Sequence, residues 1–262
     1  MRSDRRSAAG DSEVMMSASQ KMGGLDCTVI DHQVGASGPD VGVILCHGYG
    51  APGTDLVPLA SVIAASLPAE VRVRFLFPKA PIVMESFGEY DSRAWWELSI
   101  NSLLTAIESG QIDVLKTVRP DGLDQARTLL GAACEEFLEE SGLTWSNSLL
   151  GGFSQGAMLT TDLALRLEER PAHLAVLSGT LLNEPEWSTL AGEGSAMKVL
   201  QSHGQLDPVL PFAASLWLRD LFAENRHEVE FLDFAGPHTI PEGAIAGLAQ
   251  RVEETARQKL SD

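Results

Sequence analysis

The sequence has 262 residues, of which 44% are hydrophobic and 21% are charged. This apolar fraction excludes a disordered chain, and the length suits one large α/β domain or two small ones, with a core that needs no metal or disulfide. The 19 basic and 36 acidic residues give a net charge of −17, which excludes a broad surface for nucleic acid or an anionic membrane.

The N-terminal segment and the cysteines indicate a protein of a reducing compartment. Residues 1–22 contain early arginines but lack the apolar run of a secretory signal, so we expect a disordered tail there. No stretch reaches the 18 or more apolar residues of a membrane span. Cys27, Cys46 and Cys134 are widely spaced without a zinc-binding pattern, and each is interpreted as a small buried hydrophobe. The expected location is the cytoplasm.

Short apolar runs alternate with longer amphipathic segments over residues 23–262, which we interpret as a single domain. The predicted strands, rich in aliphatic and β-branched residues, are Cys27–His32, Val41–Cys46, Val71–Leu76, Ser148–Gly152, Leu174–Leu177, Met197–Gln201 and Val229–Leu232. The predicted helices are Leu56–Ser66, Gly122–Glu140, Gln155–Glu168, Phe212–Glu224 and Glu242–Lys259. This alternation indicates an α/β fold, with a mostly parallel sheet and helices on both faces.

Residues 79–121 break the alternation. They contain no clean strand, yet they hold Trp95, Trp96 and an apolar, helix-like run at Leu103–Ile107. Long connections of this kind are usually functional, and ligands bind at the C-terminal edge of the strands in open α/β folds. We therefore expect this segment to extend over the active site at that edge.

The most specific motif is Gly152-Phe153-Ser154-Gln155-Gly156, which has the form G-x-S-x-G. It directly follows a predicted strand and precedes a predicted helix, the setting of a nucleophile elbow in which a serine occupies a sharp, strained turn. The helix N-terminus favours the negative charge that develops beside such a serine. An ordinary Gly/Ser turn is the alternative. The strand–turn–helix context favours the elbow, with Ser154 as the nucleophile.

A serine nucleophile needs a base and an acid that orients the base, and in this arrangement an Asp or Glu and then a His follow the serine. His238 is the predicted base because it lies on a Gly/Pro loop beyond the last strand, whereas His227 is interpreted as a surface or sheet-edge residue. Asp207, in an Asp-Pro pair that is also typical of a plain turn, is the predicted acid. Asp233 is the alternative acid, and His203 is interpreted as a turn or supporting residue.

Two backbone N–H groups are expected to form an oxyanion hole. One belongs to Gln155, which follows the nucleophile, and the other to the loop His47-Gly48-Tyr49-Gly50 after an early strand. Gly48 and Gly50 allow the backbone to approach a bound acyl carbonyl, and Tyr49 is the predicted second donor. This loop lacks the G-K-[ST] and G-x-G-x-x-G patterns, so a phosphate site is not indicated. His47 is interpreted as structural.

Four motifs, in this order, resemble those of one known family. They are His47-Gly48-Tyr49-Gly50, Gly152-Phe153-Ser154-Gln155-Gly156-Ala157, Ser202-His203-Gly204-Gln205-Leu206-Asp207-Pro208-Val209 and Gly236-Pro237-His238. Together they are similar to the phospholipase/carboxylesterase family of α/β-hydrolases, which includes acyl-protein thioesterases and small bacterial carboxylesterases. The resemblance, which covers roughly residues 41 to 240, implies the α/β-hydrolase fold and a catalytic triad of Ser154, Asp207 and His238.

A further segment bears on the acyl chain. Residues 93–98, RAWWEL, resemble the family's Trp-aromatic-Asp segment near the acyl pocket, so Trp95 and Trp96 are predicted to bind substrate, with core packing as the alternative for either ring. The chain departs from the family pattern in having Ala51 and Glu97 in place of Asp, Tyr49 in place of an aliphatic residue, and a longer segment over residues 99–120. These departures leave the triad intact and affect the identity of the substrate.

The sequence therefore predicts a serine hydrolase that cleaves carboxylic esters or thioesters of short to medium acyl chains through an acyl-enzyme intermediate. No metal or organic cofactor is expected, and the partner would be a small or acylated ester substrate. The alternatives are a lysophospholipase or protein deacylase, and a non-catalytic binding protein of the same fold. An uncovered Trp-containing loop would also allow a homodimer.

Overall fold

The computed structural model describes residues 15–84, 91–98 and 109–259. The strands in these ranges are β1 (Met15–Met22), β2 (Leu25–His32), β3 (Val41–Cys46), β4 (Val73–Pro78), β5 (Ile82–Val83), β6 (Arg93–Ala94), β7 (Ser148–Phe153), β8 (His173–Leu177), β9 (Lys198–Gly204) and β10 (Glu228–Phe234). The helices are α1 (Leu59–Ala64), α2 (Val114–Thr117), α3 (Leu123–Ser141), α4 (Gln155–Arg166), α5 (Glu184–Gly192), α6 (Phe212–Glu224) and α7 (Glu242–Lys259).

Eight strands form one sheet in the order β1-β2-β4-β3-β7-β8-β9-β10. From β4 to β10 neighbouring strands are parallel, whereas β1 pairs antiparallel with β2 and β2 antiparallel with β4. Parallel strands end at the same edge of a sheet, so the loops after β3, β7, β9 and β10 lie at one edge. β5 and β6 form a separate two-stranded ribbon.

Each face of the sheet is covered by an apolar layer. On one face Ile44 and Leu159 belong to the core shared with α3, α4, α5 and α6. On the other face Val43 packs with Ile63 of α1 and Leu248 of α7. Neighbouring residues of β3 thus point to opposite layers, as the two-residue period of a strand requires. The predicted α/β fold with helices on both faces is confirmed.

The disordered tail expected over residues 1–22 is wrong for the residues of β1. This strand of 8 residues pairs along its whole length with β2. Its side chains are exposed or half-buried except for Met22, so no apolar alternation marks it in the sequence. Residues 1–14 lie outside the described residues.

Several other boundaries differ from the prediction. β9 continues to Gly204 instead of ending at Gln201, which places His203 inside the sheet. β5, β6 and α2 are short elements within residues 79–121, where no strand was expected, and the run Leu103–Ile107 lies outside the described residues. Helix α5 was missed because only Trp187 and Ala191 of its side chains are buried, too few for a visible helical period.

A buried carboxylate joins the helix after the elbow to its neighbours. The fully buried side chain of Asp162 in α4 accepts hydrogen bonds from Arg127 of α3 at 2.7 Å, from the indole N–H of Trp187 in α5 at 2.8 Å and from Arg166 at 3.2 Å. We expect Asp162→Ala to lower the free energy of unfolding by about 3 kcal/mol, because these donors then lose their buried acceptor. Urea unfolding measures the loss.

The control for this prediction is an ion pair at the surface. Glu253 and Arg257 form an (i, i+4) pair on α7, with the arginine side chain 73% exposed. We expect Glu253→Ala to lower the free energy of unfolding by less than about 1 kcal/mol, because solvent screens such pairs. Equal losses in the two variants would contradict a special role for Asp162.

The cysteines are buried free thiols, as predicted. Burial raises the pKa of Cys27 to about 12, and it raises the pKa of Cys46 well above the usual range of a thiol. Both side chains are therefore neutral at pH 7 and behave as small hydrophobes. Across the described ranges, no helix combines the length and the apolar composition needed to cross a membrane.

Candidate active site

Ser154 occupies a strained turn between β7 and α4. Its φ of 54° and ψ of −118° fall outside the regions that L-residues favour, and its N–H donates to the carbonyl of Leu177 at 2.8 Å. A Cβ on Gly152 would overlap the backbone of Gly156, and a Cβ on Gly156 would overlap the carbonyl of Cys46. Both glycines are therefore required by backbone packing, and the serine has the backbone geometry predicted for an elbow.

The imidazole of His238 lies between Ser154 and Asp207. Its Nε2 is 2.9 Å from Ser154 Oγ, and its Nδ1 is 2.6 Å from Asp207 Oδ2. The ring of Phe153 packs against the imidazole with the ring centroids 4.8 Å apart. A proton on Nδ1 satisfies the carboxylate, which leaves Nε2 free to accept the serine proton. The residues predicted as nucleophile, base and acid are thus in hydrogen-bonding contact.

Close packing between the loops after β9 and β10 holds the acid beside the base. The N–H of Leu206 donates to the carbonyl of Gly236 at 3.0 Å. A Cβ on Gly204 would overlap that same carbonyl, so a larger residue would separate the loops that carry Asp207 and His238. Gly204 was not predicted as a functional residue, although a glycine at the end of a strand, before the predicted acid, is the signal that could have identified it.

The carboxylate of Asp207 is surrounded by donors. Besides His238, Oδ2 is 3.2 Å from Nε2 of His203, and Oδ1 accepts the N–H groups of Val209 at 2.8 Å and Leu210 at 2.9 Å. Burial raises the pKa of Asp207, but the hydrogen bonds from His203, His238 and Leu210 lower it by more, so the pKa lies well below its ordinary value. The side chain therefore carries a full negative charge at pH 7.

The alternative base and acid lie elsewhere. His227 is buried, which corrects its interpretation as a surface residue, and it directly precedes β10, the edge strand of the sheet, as the sheet-edge interpretation expected. Its Nδ1 accepts the N–H of Met197 at 2.9 Å, and its Nε2 donates to a backbone carbonyl at 3.0 Å. Asp233 lies within β10 and accepts from the Gln205 side chain at 2.6 Å. In the described part of the chain neither side chain is hydrogen-bonded to Ser154.

Two more histidines near the site have structural contacts. His47 donates from Nδ1 to the carbonyl of Gly48 at 2.9 Å and accepts the N–H of Ala80 at Nε2, and burial lowers its pKa, so it is neutral, as expected for a structural residue. His203 is fully buried, and its Nε2 also donates to the carbonyl of Leu210 at 2.9 Å. Within the described ranges, His, Cys, Asp and Glu side chains form no group of three that could hold a metal ion.

The loop after β3 lies beside the elbow. The N–H of Gly50, at a φ of 76°, donates to the carbonyl of Arg93 at 2.8 Å and is therefore not available to a substrate. The N–H groups of Tyr49 and Gln155, the predicted oxyanion donors, take no part in the backbone hydrogen bonds found between elements in the described residues. Gln155 is the first residue of α4, so its N–H faces out of the positive end of the helix.

Trp95 and Trp96 are buried, at 1% and 0% exposure. The indole N–H of Trp95 donates to the carbonyl of His47 at 2.9 Å, and both rings line a cavity of about 760 Å³ whose described lining does not include Ser154. Gly48 is nearer the serine, because a Cβ on it would lie 3.3 Å from Ser154 Cβ. Because both rings are buried, this pair of tryptophans presents no exposed surface, and the homodimer stays a prediction.

A sequence profile of the phospholipase/carboxylesterase family matches residues 33–252. This range extends from the residue after β2 into α7 and includes Ser154, Asp207 and His238. The chain belongs to the phospholipase/carboxylesterase family. It is a hydrolase of this family with the α/β-hydrolase fold.

Proteins similar to this chain agree with the assignment to this family. Acyl-protein thioesterase 1 of Kluyveromyces lactis is 26% identical over 199 residues, 74% of this chain and 82% of the relative. Acyl-protein thioesterase 1 of Mycosarcoma maydis is 26% identical over 227 residues, 82% of this chain and 91% of the relative. Esterase PE8 has the same fold, with a TM-score of 0.67, 23% identity and coverage of 93% of this chain and 98% of its own. A carboxylesterase from Mesorhizobium loti also has this fold, with a TM-score of 0.67 and 19% identity. The match covers 89% of this chain and 97% of the carboxylesterase.

Proposed function

We propose that the protein hydrolyses carboxylic esters or thioesters of short to medium acyl chains through an acyl-enzyme on Ser154. The observation that carries the proposal is the contact of His238 with Ser154 Oγ at 2.9 Å and with Asp207 Oδ2 at 2.6 Å. Membership of the phospholipase/carboxylesterase family supports an ester as the substrate. Both lines of support are independent of the identity of the acyl chain.

In the proposed mechanism Ser154 Oγ attacks the carbonyl carbon while His238 Nε2 takes the hydroxyl proton. Asp207 keeps the proton on Nδ1 and stabilises the imidazolium that forms. The N–H groups of Tyr49 and Gln155 donate to the oxyanion, a contribution of about 3 kcal/mol for each donor. His238 then protonates the leaving alcohol or thiol, and in the second half-reaction it activates the water that releases the acid.

A protein thioester is the second candidate substrate. Two relatives that are 26% identical to this chain are named acyl-protein thioesterases. A thiolate leaves more readily than an alkoxide, so the same nucleophile, base and acid can cleave both kinds of bond. A lysophospholipid is a further candidate, because the family takes its name from phospholipases as well as carboxylesterases.

A substrate series distinguishes these candidates. We expect Ser154-dependent turnover of p-nitrophenyl acetate, butyrate and octanoate. On the palmitate kcat/KM should be lower by about tenfold or more, because a chain longer than the acyl site must bend out of it, at an ordering cost that no further burial offsets. The octanoyl thioester of N-acetylcysteamine and lysophosphatidylcholine are measured beside them. A higher kcat/KM on the thioester than on the octanoate ester would assign the thioester, and a palmitate optimum would contradict the short to medium chain length.

A fluorophosphonate probe tests the non-catalytic alternative. Such a probe forms a covalent bond only with an activated serine, so we expect a single label on Ser154, detected by mass spectrometry of the digested protein. Folded protein that is neither labelled nor active on any substrate of the series would favour a binding protein with this fold.

We also propose the cytoplasm as the location. The cysteines are free and buried, which suits a reducing compartment. The net charge of −17 disfavours a nucleic acid as partner. A small or acylated ester is the proposed partner, on the support of the family.

A further inference from the structure

We infer that the side chain of Gln155 is a positioning residue that fixes the spacing between the two donors of the oxyanion hole. The inference rests on the proposed function, because it concerns the Tyr49 and Gln155 N–H groups of that site. It is based on a series of hydrogen bonds that leads from the Gln155 side chain to the backbone on both sides of Tyr49.

The first part of the path joins α4 to the segment that follows β6. Gln155 is fully buried, and both ends of its amide are used. Its Oε1 accepts the N–H of Trp95 at 2.9 Å, and its Nε2 donates to the carbonyl of Trp96 at 2.9 Å. A single side chain on the first turn of α4 therefore satisfies two buried backbone groups on a segment about 60 residues away in sequence.

The second part joins β6 to the loop that carries Tyr49. The N–H of Gly50 donates to the carbonyl of Arg93 at 2.8 Å, and the N–H of Arg93 donates to the carbonyl of Ala51 at 3.1 Å. Arg93 thus bonds to two consecutive residues of the loop, which is the pattern of a β-bulge, beside an antiparallel bridge between Pro52 and Ser92. These bonds fix the loop on the C-terminal side of Tyr49.

A third contact fixes the loop on the other side. The indole N–H of Trp95 donates to the carbonyl of His47 at 2.9 Å, two residues before Tyr49. Trp95 is thus bonded through its backbone to Gln155 and through its side chain to the loop. The backbone N–H of Gln155 and that of Tyr49 are consequently held by the same segment, although they belong to α4 and to the loop after β3.

This arrangement has a chemical consequence for the proposed oxyanion hole. Two donors stabilise an oxyanion together only when both lie at hydrogen-bonding distance from one oxygen. An elbow requires small residues at Gly152 and Gly156, and it uses only the backbone N–H of Gln155. The buried amide of Gln155 is therefore free to act as the link between the donors.

The test variant loses the side-chain hydrogen bonds of Gln155 and keeps its backbone N–H. Gln155→Met retains the backbone N–H and the length of the side chain but loses both amide hydrogen bonds. On p-nitrophenyl butyrate we expect kcat to fall by about 10- to 100-fold with KM changed by less than about threefold, because a displaced donor acts mainly in the transition state. The inhibition constant of phenylboronic acid, whose adduct with serine is tetrahedral, should rise by a similar factor.

Gln201 provides a matched control. It is also fully buried, and its Nε2 donates to the carbonyl of Ser215 at 2.8 Å, away from the loop that carries Tyr49. Gln201→Met is the same substitution and removes the hydrogen bond to Ser215, and we expect its kcat to stay within about threefold of that of the wild type. Thermal unfolding of both variants separates loss of stability from loss of the oxyanion hole.

A second substitution covers the case in which Gln155→Met does not fold. In Gln155→Glu a protonated carboxyl group can accept from Trp95 and donate to Trp96, whereas the ionised form has no proton to donate. The ratio of kcat for this variant to kcat for the wild type should therefore rise as the pH is lowered from about 8 to about 5. If the two hydrogen bonds of the Gln155 side chain do not affect catalysis, this ratio of kcat values should not change with pH.

The outcomes separate the inference from the proposed function. Ser154-dependent turnover with wild-type kcat and boronate affinity in Gln155→Met, or equal losses in the Gln155 and Gln201 variants, would overturn the positioning role alone. A pH-independent ratio for Gln155→Glu would also overturn it. Turnover that persists in Ser154→Ala would overturn the proposed function and, with it, the oxyanion hole that Gln155 is inferred to position.

Discussion

Ser154→Ala is expected to lower kcat for p-nitrophenyl butyrate by about 10⁴- to 10⁶-fold while the protein stays folded. The hydroxyl is the proposed nucleophile, and its Oγ is 2.9 Å from His238 Nε2. The glycines that the elbow requires, Gly152 and Gly156, are unchanged in the variant. Initial rates, fluorophosphonate labelling and urea unfolding measure the three parts of this prediction.

Ser178 is the matched control for this variant. It is a fully buried serine with a φ of 52°, and it directly follows β8, the neighbour of β7 in the sheet. Ser178→Ala therefore removes a hydroxyl from the same type of backbone position at the same sheet edge, together with a long hydrogen bond to the carbonyl of Thr239 at 3.3 Å. We expect kcat to stay within about tenfold of that of the wild type, because the hydrogen bond to His238 Nε2 is made by Ser154. Equal losses of activity in the two variants, or residual labelling of Ser154→Ala, would contradict the assignment of the nucleophile.

Asp207→Asn is expected to lower kcat by about 10⁴-fold with little change in KM. Oδ1 faces the N–H groups of Val209 and Leu210, so the amide oxygen of Asn should take this position and its NH₂ group should face His238. An NH₂ group donates to Nδ1, which moves the imidazole proton to Nε2 and leaves no acceptor for the proton of Ser154. Steady-state kinetics on p-nitrophenyl butyrate measures the loss.

Asp233→Asn is the control for this second variant. Asp233 lies in β10, next to the strand that leads to Asp207, and accepts from the side chain of Gln205 at 2.6 Å. It was the alternative acid, so its substitution tests which carboxylate orients His238. We expect kcat to change by less than about threefold. A larger loss in Asp233→Asn than in Asp207→Asn would reverse the assignment.

The same carboxylate makes stability depend on pH. Hydrogen bonds hold the pKa of Asp207 below its ordinary value in the folded protein, so the unfolded chain binds a proton first as the pH falls. The stabilisation is present above about pH 4 and is lost as the pH falls further. Wild type should therefore exceed Asp207→Asn in free energy of unfolding most clearly at neutral pH, and the gap should narrow in acid. Urea unfolding between about pH 7 and pH 3 measures this difference in free energy of unfolding between the two proteins. A difference that does not change with pH would contradict the lowered pKa of Asp207.

The sequence predicted the parts of the fold and site that depend on local chemistry. Apolar runs separated by amphipathic segments predicted the parallel strands, because burial on both faces leaves few polar positions in them. The elbow was predicted from a strand, two glycines and a helix pattern around Ser154. His238 and Asp207 were selected by chain order and by their loops, and the structure brings both into contact with each other.

The features that the sequence did not predict depend on contacts between distant segments. β1 has exposed side chains, and its pairing with β2 leaves no period in the sequence. His227 is buried where its ring accepts a hydrogen bond from Met197, a residue 30 positions away. His203 lies inside the sheet because β9 extends to Gly204. The bonds of the Gln155 side chain reach a segment about 60 residues away, and no local pattern indicates such a partner.

The contacts of His238 also bear on when activity arises during synthesis of the chain. They join residues separated by 84 and 31 positions, and each partner lies at the end of a different strand. Contacts of this sequence separation form late, because long loops must close first. In the proposed mechanism a nascent chain therefore has no competent nucleophile until His238 has left the ribosome and β10 has paired with β9. Covalent labelling of Ser154 by a fluorophosphonate would then report completed folding in a translating system, and the unfinished polypeptide would not react with the probe.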